Sequence, residues 1–425
     1  MTTNTTPFSR IKKLEIHMLR ATPPNQSNSG QNAMNKTITF AGVTRDRLSS
    51  QSIKKPMRNA FDTPRTKQPQ EVIRKYLSPE ALASEAVNAI LLDVTQNYYG
   101  KFDKKGRNQL PSMIAIGKDE AERIANLINQ NFAALQAAYV PGVFADTDDS
   151  PEETEDADTA PEEPAKGAKV KPKAPKLSAS DKEKRQAYLA ALTELTTQHK
   201  PGSNSNDLAL FGRFIANLSD EMIDGAVYMS HAVGTHRSRL AEEIDFFSAF
   251  DDVSGTTEHI GERGLVAPLY YYCVVLDVEQ YRANRRKHQP DISEQDIETG
   301  VRNFVREFAF AHPTGGSHGA FAHTLPEYIL AVGRSEGYGI NLANAYTDPV
   351  YPTRGVNQNA YRSTLDISIQ RLLNQLRYNQ TAFGKDNGLI GAAHVTSQII
   401  AEHDQIELVD HVGSLDSALD IAFGI

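Results

Sequence analysis

Strand-like patterns lie far apart in this 425-residue sequence, with helical patterns between them. Residues 13–20 alternate apolar and polar side chains, as a half-buried strand does. Residues 36–40 predict a second strand, and the aromatic and β-branched residues of 266–278 predict another. Further strands are predicted at 207–214 and 327–332. A sheet built from such distant segments needs long connections, so the sequence favours one α+β sheet domain interrupted by an insertion.

Helical periodicity accounts for much of the remaining chain. The predicted helices are 71–139, 181–198, 292–311, 363–379 and 393–403. Between the first two lies a low-complexity block, residues 146–180, which is acidic first and then rich in Lys, Pro and Ala. Such a block cannot bury a core, and we expect it to be a disordered tether.

Composition limits the class of protein. An apolar content of 40% can support roughly two to three domain-sized units. The single cysteine, Cys273, excludes a disulfide framework and a Cys-built zinc site. No signal-peptide-like or membrane-spanning apolar run is apparent, so we expect a cytoplasmic protein without a membrane partner. The net charge of −8 is misleading, because residues 146–163 alone carry ten acids and no base.

Basic side chains concentrate in residues 36–67, against only Asp46 and Asp62. They are Lys36, Arg45, Arg47, Lys54, Lys55, Arg58, Arg65 and Lys67. The run Ser49, Ser50, Gln51 and Ser52 is typical of a helix start, whose free N–H groups favour an anion. The segment therefore predicts a phosphate site for a nucleic-acid backbone, with a solvated helix face as the alternative. Pro56 fits the first turn if Ser52 is the cap, but would kink a helix capped at Ser49.

Residues 34–58, with the core LSSQSIKKPMR, closely resemble the backbone subunit of type I-E CRISPR Cascade, the CasC family of the RAMP superfamily. Further matching motifs follow in the family's order: DLALFGR at 207–213, DGA at 224–226, HA at 231–232, TH at 235–236, IDFFSAFDD at 244–252, HIG at 259–261, YYY at 270–272 and the loop 312–326. The block 146–180 and the far C-terminus have no evident counterpart.

The resemblance implies an RRM-like (ferredoxin-like) palm, helical fingers and a thumb β-hairpin. The palm would comprise residues 10–62, 205–235 and 269–425, the last part with C-terminal helices. The fingers would comprise 63–204 and the thumb 236–268. Within the thumb, residues 244–252 match a segment that we interpret as an aromatic and acidic helix.

The same resemblance implies a guide RNA (crRNA) bound by several copies of the chain within a complex of other Cascade subunits. Double-stranded target DNA would be recognised by pairing with the guide. The implied RNA-binding residues are Lys36, Arg45, Arg47, Ser49, Ser50, Gln51, Lys54, Lys55, Arg58, Arg213, Phe214 and His318. Phe214 stands where the family tends to carry Met, and an aromatic side chain could stack on a base; a core position beside Phe211 is the alternative.

Three other groups of polar residues suggest alternatives to RNA binding. His312, His318 and His323 could hold a metal, although a glycine-rich loop that RNA approaches is the better interpretation. His231 and His236, with Asp224 and Asp245, could act as general bases, but no nucleophile motif accompanies them. Asp251-Asp252 could serve a metal-dependent RNA endonuclease, as in type III complexes.

The sequence therefore predicts a non-enzymatic protein that needs no metal or cofactor. The type III-like endonuclease is the second hypothesis, and a monomeric single-strand RNA-binding module is the third. The sheet is not expected to read bases, because residues 13–20 lack the exposed aromatics of an ordinary RRM.

Overall fold

The computed structural model describes residues 6–30, 34–61, 63–103, 108–139, 179–215, 219–240, 244–354, 361–383, 388–396 and 409–425. The chain divides into two compact units. The sheet unit comprises Met1–Thr63, Asn204–Arg213 and Ile223–Ile425. The helical unit comprises Pro64–Ser203 and Phe214–Met222. The predicted block 146–180 lies outside the described residues apart from its last two positions.

Strands and helices alternate along the chain. The strands are β1 Lys13–Ala21, β2 Thr37–Phe40, β3 Val43–Leu48, β4 Arg65–Thr66, β5 Ile114–Ala115, β6 Val227–Met229, β7 Ala232–Gly234, β8 Ile244–Asp251, β9 Thr256–Gly264, β10 Leu269–Asp277, β11 Tyr328–Arg334, β12 Thr353–Arg354, β13 Tyr361–Arg362, β14 Leu389–Thr396 and β15 Asp410–His411. The α-helices are α1 Ser50–Ala60, α2 Pro69–Ile73, α3 Pro79–Leu82, α4 Val87–Tyr99, α5 Lys118–Ala138, α6 Ala179–Gln198, α7 Asn206–Phe211, α8 Val278–His288, α9 Glu294–Phe310, α10 Thr364–Ala382 and α11 Leu415–Phe423.

The sheet unit is organised around β1, which pairs antiparallel with β10 on one side and β11 on the other. The strand order is β15-β14-β11-β1-β10-β7-β3-β2, and β6 also pairs with β10. Only β14 and β15 run parallel to each other among these pairs. The helical unit packs α2 to α6 around a core of its own. The predicted α+β fold class is confirmed, including its helical insertion and a two-stranded hairpin, β8–β9.

Helices and connecting segments cover both faces of the sheet. Leu14, Ile16 and Met18 belong to one core, which also contains Phe304 and Phe308 of α9. The opposite face packs in a second core with Leu372 and Leu376 of α10 and the short 3-10 helix Leu342–Tyr346. Every residue of β1 between its two ends is buried, so β1 is not the half-buried strand that its alternation predicts.

Burial of the second face encloses a polar network on β1. The Glu15 carboxylate pairs with the Arg334 guanidinium and accepts the Ile340 N–H at 2.9 Å. His17 Nδ1 lies 2.9 Å from the Tyr271 hydroxyl. Burial alone would raise the pKa of Glu15, but the hydrogen bond from His17 and the charge of Arg334 lower it overall. The carboxylate therefore stays ionised inside the protein because its partners replace water.

Several predicted elements are wrong. Residues 207–211 belong to the helix α7, which ends where Gly212 adopts a φ of +77°, rather than to a strand. Residues 244–251 form the strand β8 rather than an aromatic and acidic helix. Residues 393–396 continue the strand β14 beside β11, because this apolar run fits a buried strand as well as a helix; 397–403 lie outside the described residues. Helices α8 and α11 were not predicted.

Removing one member of the Glu15–Arg334 pair should destabilise the sheet unit strongly. Arg334→Met leaves a buried carboxylate without its cation, and we expect a loss of about 3–5 kcal/mol in the free energy of unfolding, measured by chemical denaturation. Lys12→Ala is the control, because its ion pair with Glu279 is exposed and should contribute less than about 1 kcal/mol. An Arg334→Met variant as stable as Lys12→Ala would contradict this account.

Candidate nucleic-acid interface

The basic segment folds as a hairpin followed by a helix. Strands β2 and β3 are joined at Ala41 and Gly42, which have φ values of 47° and 82°. Positive φ at both central residues is the geometry of the tight hairpin turn that matches strand twist. β3 leads directly into α1, which is capped by Ser49; the Ser52 N–H donates to Ser49 Oγ at 3.3 Å. Of the two predicted caps the structure uses Ser49, and the helix continues through Pro56.

The start of α1 is less open than the sequence predicts. The Ser50 N–H donates to His231 Nδ1 at 2.9 Å, and the Ser52 N–H is held by the cap. Burial and the neighbouring positive charge of Arg47 lower the pKa of His231, which matches its role as an acceptor. These two amide groups of the first turn are therefore already hydrogen-bonded and do not point freely into solvent.

One face of α1 is exposed and polar. Ile53 and Met57, one turn apart, are buried in the core of the sheet unit. Gln51, Lys55 and Asn59 are exposed and follow each other at intervals of four residues, so they form one line along the helix. We call these three residues the α1 stripe. Within the described chain Lys55 has no ion-pair partner, so its ammonium is available to a phosphate.

Lys54 and Arg58 have partners on α7. The Lys54 ammonium lies 5.9 Å from the centre of the Phe211 ring, and the Arg58 guanidinium lies 4.7 Å from it. Arg58 Nε is also 3.6 Å from the carboxylate of Asp207, whose side chain is only 2% exposed. Sequence reasoning missed this contact because it placed 207–214 in a strand. A helical interpretation would have brought Asp207 and Phe211 together, one turn apart on one face.

The prediction that Arg45 faces RNA needs correction. Its side chain is fully buried, and its guanidinium donates to the backbone carbonyls of Gly234, Thr235, Tyr346 and Thr347 at 2.7–3.2 Å. A guanidinium with four carbonyl partners in the interior is not accessible to a phosphate. Lys36 and Arg47 are half-buried at the base of the β2–β3 hairpin, where the Arg47 N–H donates to the Lys36 carbonyl.

The remaining predicted residues divide between the two units. Arg213 is buried in the sheet unit, where its backbone pairs with Ile223, and its RNA contact stays a prediction. Phe214 belongs to the helical unit and is 66% exposed, which excludes the alternative of a core position beside Phe211. His318 is exposed in the loop 312–326, near the end of α9.

Four histidines of the predicted clusters are stacked or hydrogen-bonded within the protein. His312 is buried and stacks on His323 with 5.9 Å between ring centres; burial and the charge of Arg20 lower its pKa to about 4. His236 Nε2 accepts the Leu269 N–H, much as His231 accepts that of Ser50.

Within the described residues no group of three or more His, Cys, Asp or Glu side chains could hold a metal ion. Nor does a helix of this part of the chain have the length and apolar character to span a membrane.

The β8–β9 hairpin exposes apolar side chains. Phe246 and Phe250 point to one face of β8 and are 67% and 64% exposed, and Ile260 on β9 lies on the same face. On the other face Arg263 pairs with Asp245 at 2.8 Å, and the ring of Phe247 lies against Gly261. A side chain at position 261 would collide with that ring. Such an exposed apolar face is unusual on an isolated protein surface.

Comparison with known proteins identifies the family. The model of the family described as CT1975-like protein, named Cas_CT1975, matches residues 14–420. The chain belongs to the CT1975-like family of Cas proteins. A search of curated proteins found no match.

Two solved structures resemble the chain over nearly its whole length. A chain of a "CRISPR RNA-guided surveillance complex, pre-nicking" is similar with a TM-score of 0.69 and 19% identity, covering 97% of this chain and all of that one. A chain of a "CRISPR RNA-guided surveillance complex" is similar with a TM-score of 0.59 and 17% identity, covering 97% and 99%. At this level of identity the similarity shows a shared fold.

The contact of Arg58 with Asp207 predicts a stability effect. Arg58→Ala leaves the Asp207 carboxylate buried without this cation, so we expect a loss of about 3 kcal/mol in the free energy of unfolding. The double variant Arg58→Met/Asp207→Leu removes both charges and should recover most of that loss in chemical denaturation. If Arg58→Ala unfolds like the wild type, Arg58 is not engaged by Asp207 and becomes available to RNA.

Proposed function

We propose that this member of the CT1975-like family is a guide RNA-binding, self-polymerising backbone subunit of a type I-E-like Cascade complex. In this role it would recognise complementary double-stranded DNA through pairing with the guide. The observation that carries the proposal is the α1 stripe, which presents Lys55 between two exposed amide side chains on a capped helix. Family membership and the fold shared with chains of RNA-guided surveillance complexes support it.

The mode of binding that we propose is recognition of the RNA backbone. An ordinary RRM reads bases by stacking them on the open face of its sheet. Here α10 and its neighbours occupy that face, and the polar groups that it contains, Glu15 and His17, are bonded to one another. Contacts from a basic helix depend on phosphates and not on base identity. This property suits a protein that must accept any guide.

Polymerisation is the second part of the proposal. Phe246, Phe250 and Ile260 leave an apolar face of the hairpin in solvent, and we infer that a neighbouring copy with its RNA covers it. A contact between different surfaces of identical chains repeats head to tail and builds an open filament. Filament growth along a guide follows directly from such a contact.

We infer that the chain is not an enzyme. The second candidate, an endonuclease of the type III kind, would require a metal held by Asp251 or Asp252 at the tip of the hairpin. Asp251 Oδ1 instead accepts the N–H groups of Val253 and Ser254 at 2.8 and 3.1 Å, and these bonds lower its pKa. These hydrogen bonds close the turn at the tip of the hairpin.

Salt dependence tests the RNA site. Each phosphate neutralised in a single strand contributes about −0.7 to the slope of log K against log salt. We expect Lys55→Ala to flatten the slope for guide RNA by about that amount, and equally for guides of different sequence. Lys54→Ala should have a smaller effect, because Lys54 is half-buried and its ammonium lies 5.9 Å from the Phe211 ring.

Lys182→Ala, at an exposed lysine of α6, is the matched control and should leave the slope unchanged. Identical slopes for the wild type, Lys54→Ala and Lys55→Ala would show that the RNA lies elsewhere, and the loop 312–326 would be the next site to examine.

A cleavage assay separates the two candidate functions. The chain assembled on a guide is incubated with complementary RNA and Mg²⁺ or Mn²⁺, and the length of the target is followed on a gel. We expect the target to remain intact with both ions. Cleavage by the wild type that disappears in Asp252→Ala would replace the backbone proposal with the endonuclease.

A further inference from the structure

A carboxyl group is buried in the helical unit without an opposite charge. Asp93 lies on α4 and is 5% exposed, between Leu91 and Val94, which are fully buried in the core of this unit. Its Oδ2 accepts a hydrogen bond from the Tyr188 hydroxyl of α6 at 2.7 Å. Within the described chain no Lys or Arg forms an ion pair with Asp93. Because an unpaired carboxylate is costly to bury, this arrangement favours the protonated acid.

The partner helix α6 is attached to α4 partly through polar side chains. In the described part of α6 the buried side chains are those of Tyr188, Leu192 and Thr196, spaced four residues apart. The Tyr188 hydroxyl bonds to Asp93, and the Thr196 hydroxyl accepts a hydrogen bond from the Asn97 amide of α4. A stripe one side chain wide buries less apolar surface than the face of a typical core helix. The bond to Asp93 therefore contributes to holding α6 in place.

The charged groups of the neighbouring helices do not neutralise this carboxyl. Helices α2, α5 and α6 pack against α4. On α5 the buried Glu120 accepts the Tyr99 hydroxyl at 2.9 Å, and at the surface Glu71 of α2 pairs with Arg74. Arg185 of α6 is half-buried but forms no ion pair with the carboxyl group of α4. The charge state of that carboxyl is therefore set by burial and by hydrogen bonding.

The protonation of Asp93 depends on whether α6 is docked. Burial raises the pKa of Asp93 to about 7 from an ordinary value of 3.8, although the bond from Tyr188 lowers it. Burial and the charge of Asp93 also raise the pKa of Tyr139, which follows α5. When α6 leaves α4, water reaches Asp93 and its ordinary acidity returns. Rising pH between these two pKa values then favours the released helix, and above the higher value the effect levels off because both forms are ionised.

We propose that the Asp93–Tyr188 pair is a pH-sensitive switch that controls how firmly α6 is attached to α4. The carboxyl is protonated while α6 is docked, and on release of the helix its proton passes to water. An apolar residue in place of Asp93 would give no such response to pH. The pair belongs to the helical unit and the α1 stripe to the sheet unit, so the switch and RNA binding are tested separately.

Hydrogen exchange of the full chain, followed by mass spectrometry between pH 5 and pH 8, measures the attachment of α6. The exchange rates are corrected for the pH dependence of the chemical step, which leaves the protection factor of peptides that cover 188–196. We expect this protection factor to fall about tenfold per pH unit up to about pH 7 and to level off above it, because docked α6 retains one more proton than released α6. Protection that stays constant or rises up to pH 7 would overturn the switch.

Asp93→Asn keeps an acceptor for the Tyr188 hydroxyl and removes the titration. Protection of 188–196 should then be the same at every pH, and at pH 8 it should exceed that of the wild type about tenfold or more. Glu183→Gln, at an exposed acid of α6, is the matched control and should show the same fall as the wild type. A folded Asp93→Asn variant whose protection falls like that of the wild type would show that another group is responsible.

Tyr188→Phe tests the same pair from the other helix and applies even if Asp93→Asn does not fold. The ring stays in the core, but the carboxyl loses the hydrogen bond that lowers its pKa. We expect the fall in protection to continue to a higher pH than in the wild type before it levels off. Circular dichroism checks that each variant is folded. Levelling at the same pH as in the wild type would mean that the bond to Tyr188 has no part in the switch, and the proposal would be overturned.

Discussion

Burial of β1 on both faces is the constraint on which the rest of the sheet unit depends. A strand at the centre of an antiparallel sheet can leave one face to solvent, but here α9 covers one side and α10 the other. Polar residues on that strand must then find partners inside the protein: Glu15 pairs with Arg334 of β11, and His17 with Tyr271 of β10. The same burial removes the surface on which an RRM stacks bases.

The basic segment, residues 36–67, contains both exposed and buried cations. On α1, Lys55 faces solvent while Arg58 is paired with Asp207, although both belong to one basic run. On β3, Arg45 points inward and ties two connecting segments together. Some cations of the basic run therefore hold the local structure together, and others are exposed on the surface. We infer that the buried cations shape the site and that the exposed ones contact the RNA.

The sequence predicts much of the scaffold and less of the site. Residues 266–278 and 292–311 were assigned correctly because β-branched runs and helical periodicity are strong local signals. The run at 393–396 was misassigned, since a short apolar segment is compatible with either element. The different environments of Arg45 and Lys55 depend on strand register and on contacts with residues some 190 or more positions away, such as Gly234 and Tyr346. No local pattern contains that information.

The most direct test is to map the RNA on the assembled protein. The full chain is purified with a guide RNA, irradiated with ultraviolet light and digested, and the peptides bound to RNA are sequenced by mass spectrometry. The account predicts adducts in α1, at or beside the α1 stripe, and none in β1, which is buried on both faces. Adducts in β1 or β11 together with an unmodified α1 would contradict it, because the RNA would then occupy the sheet face that α10 covers here.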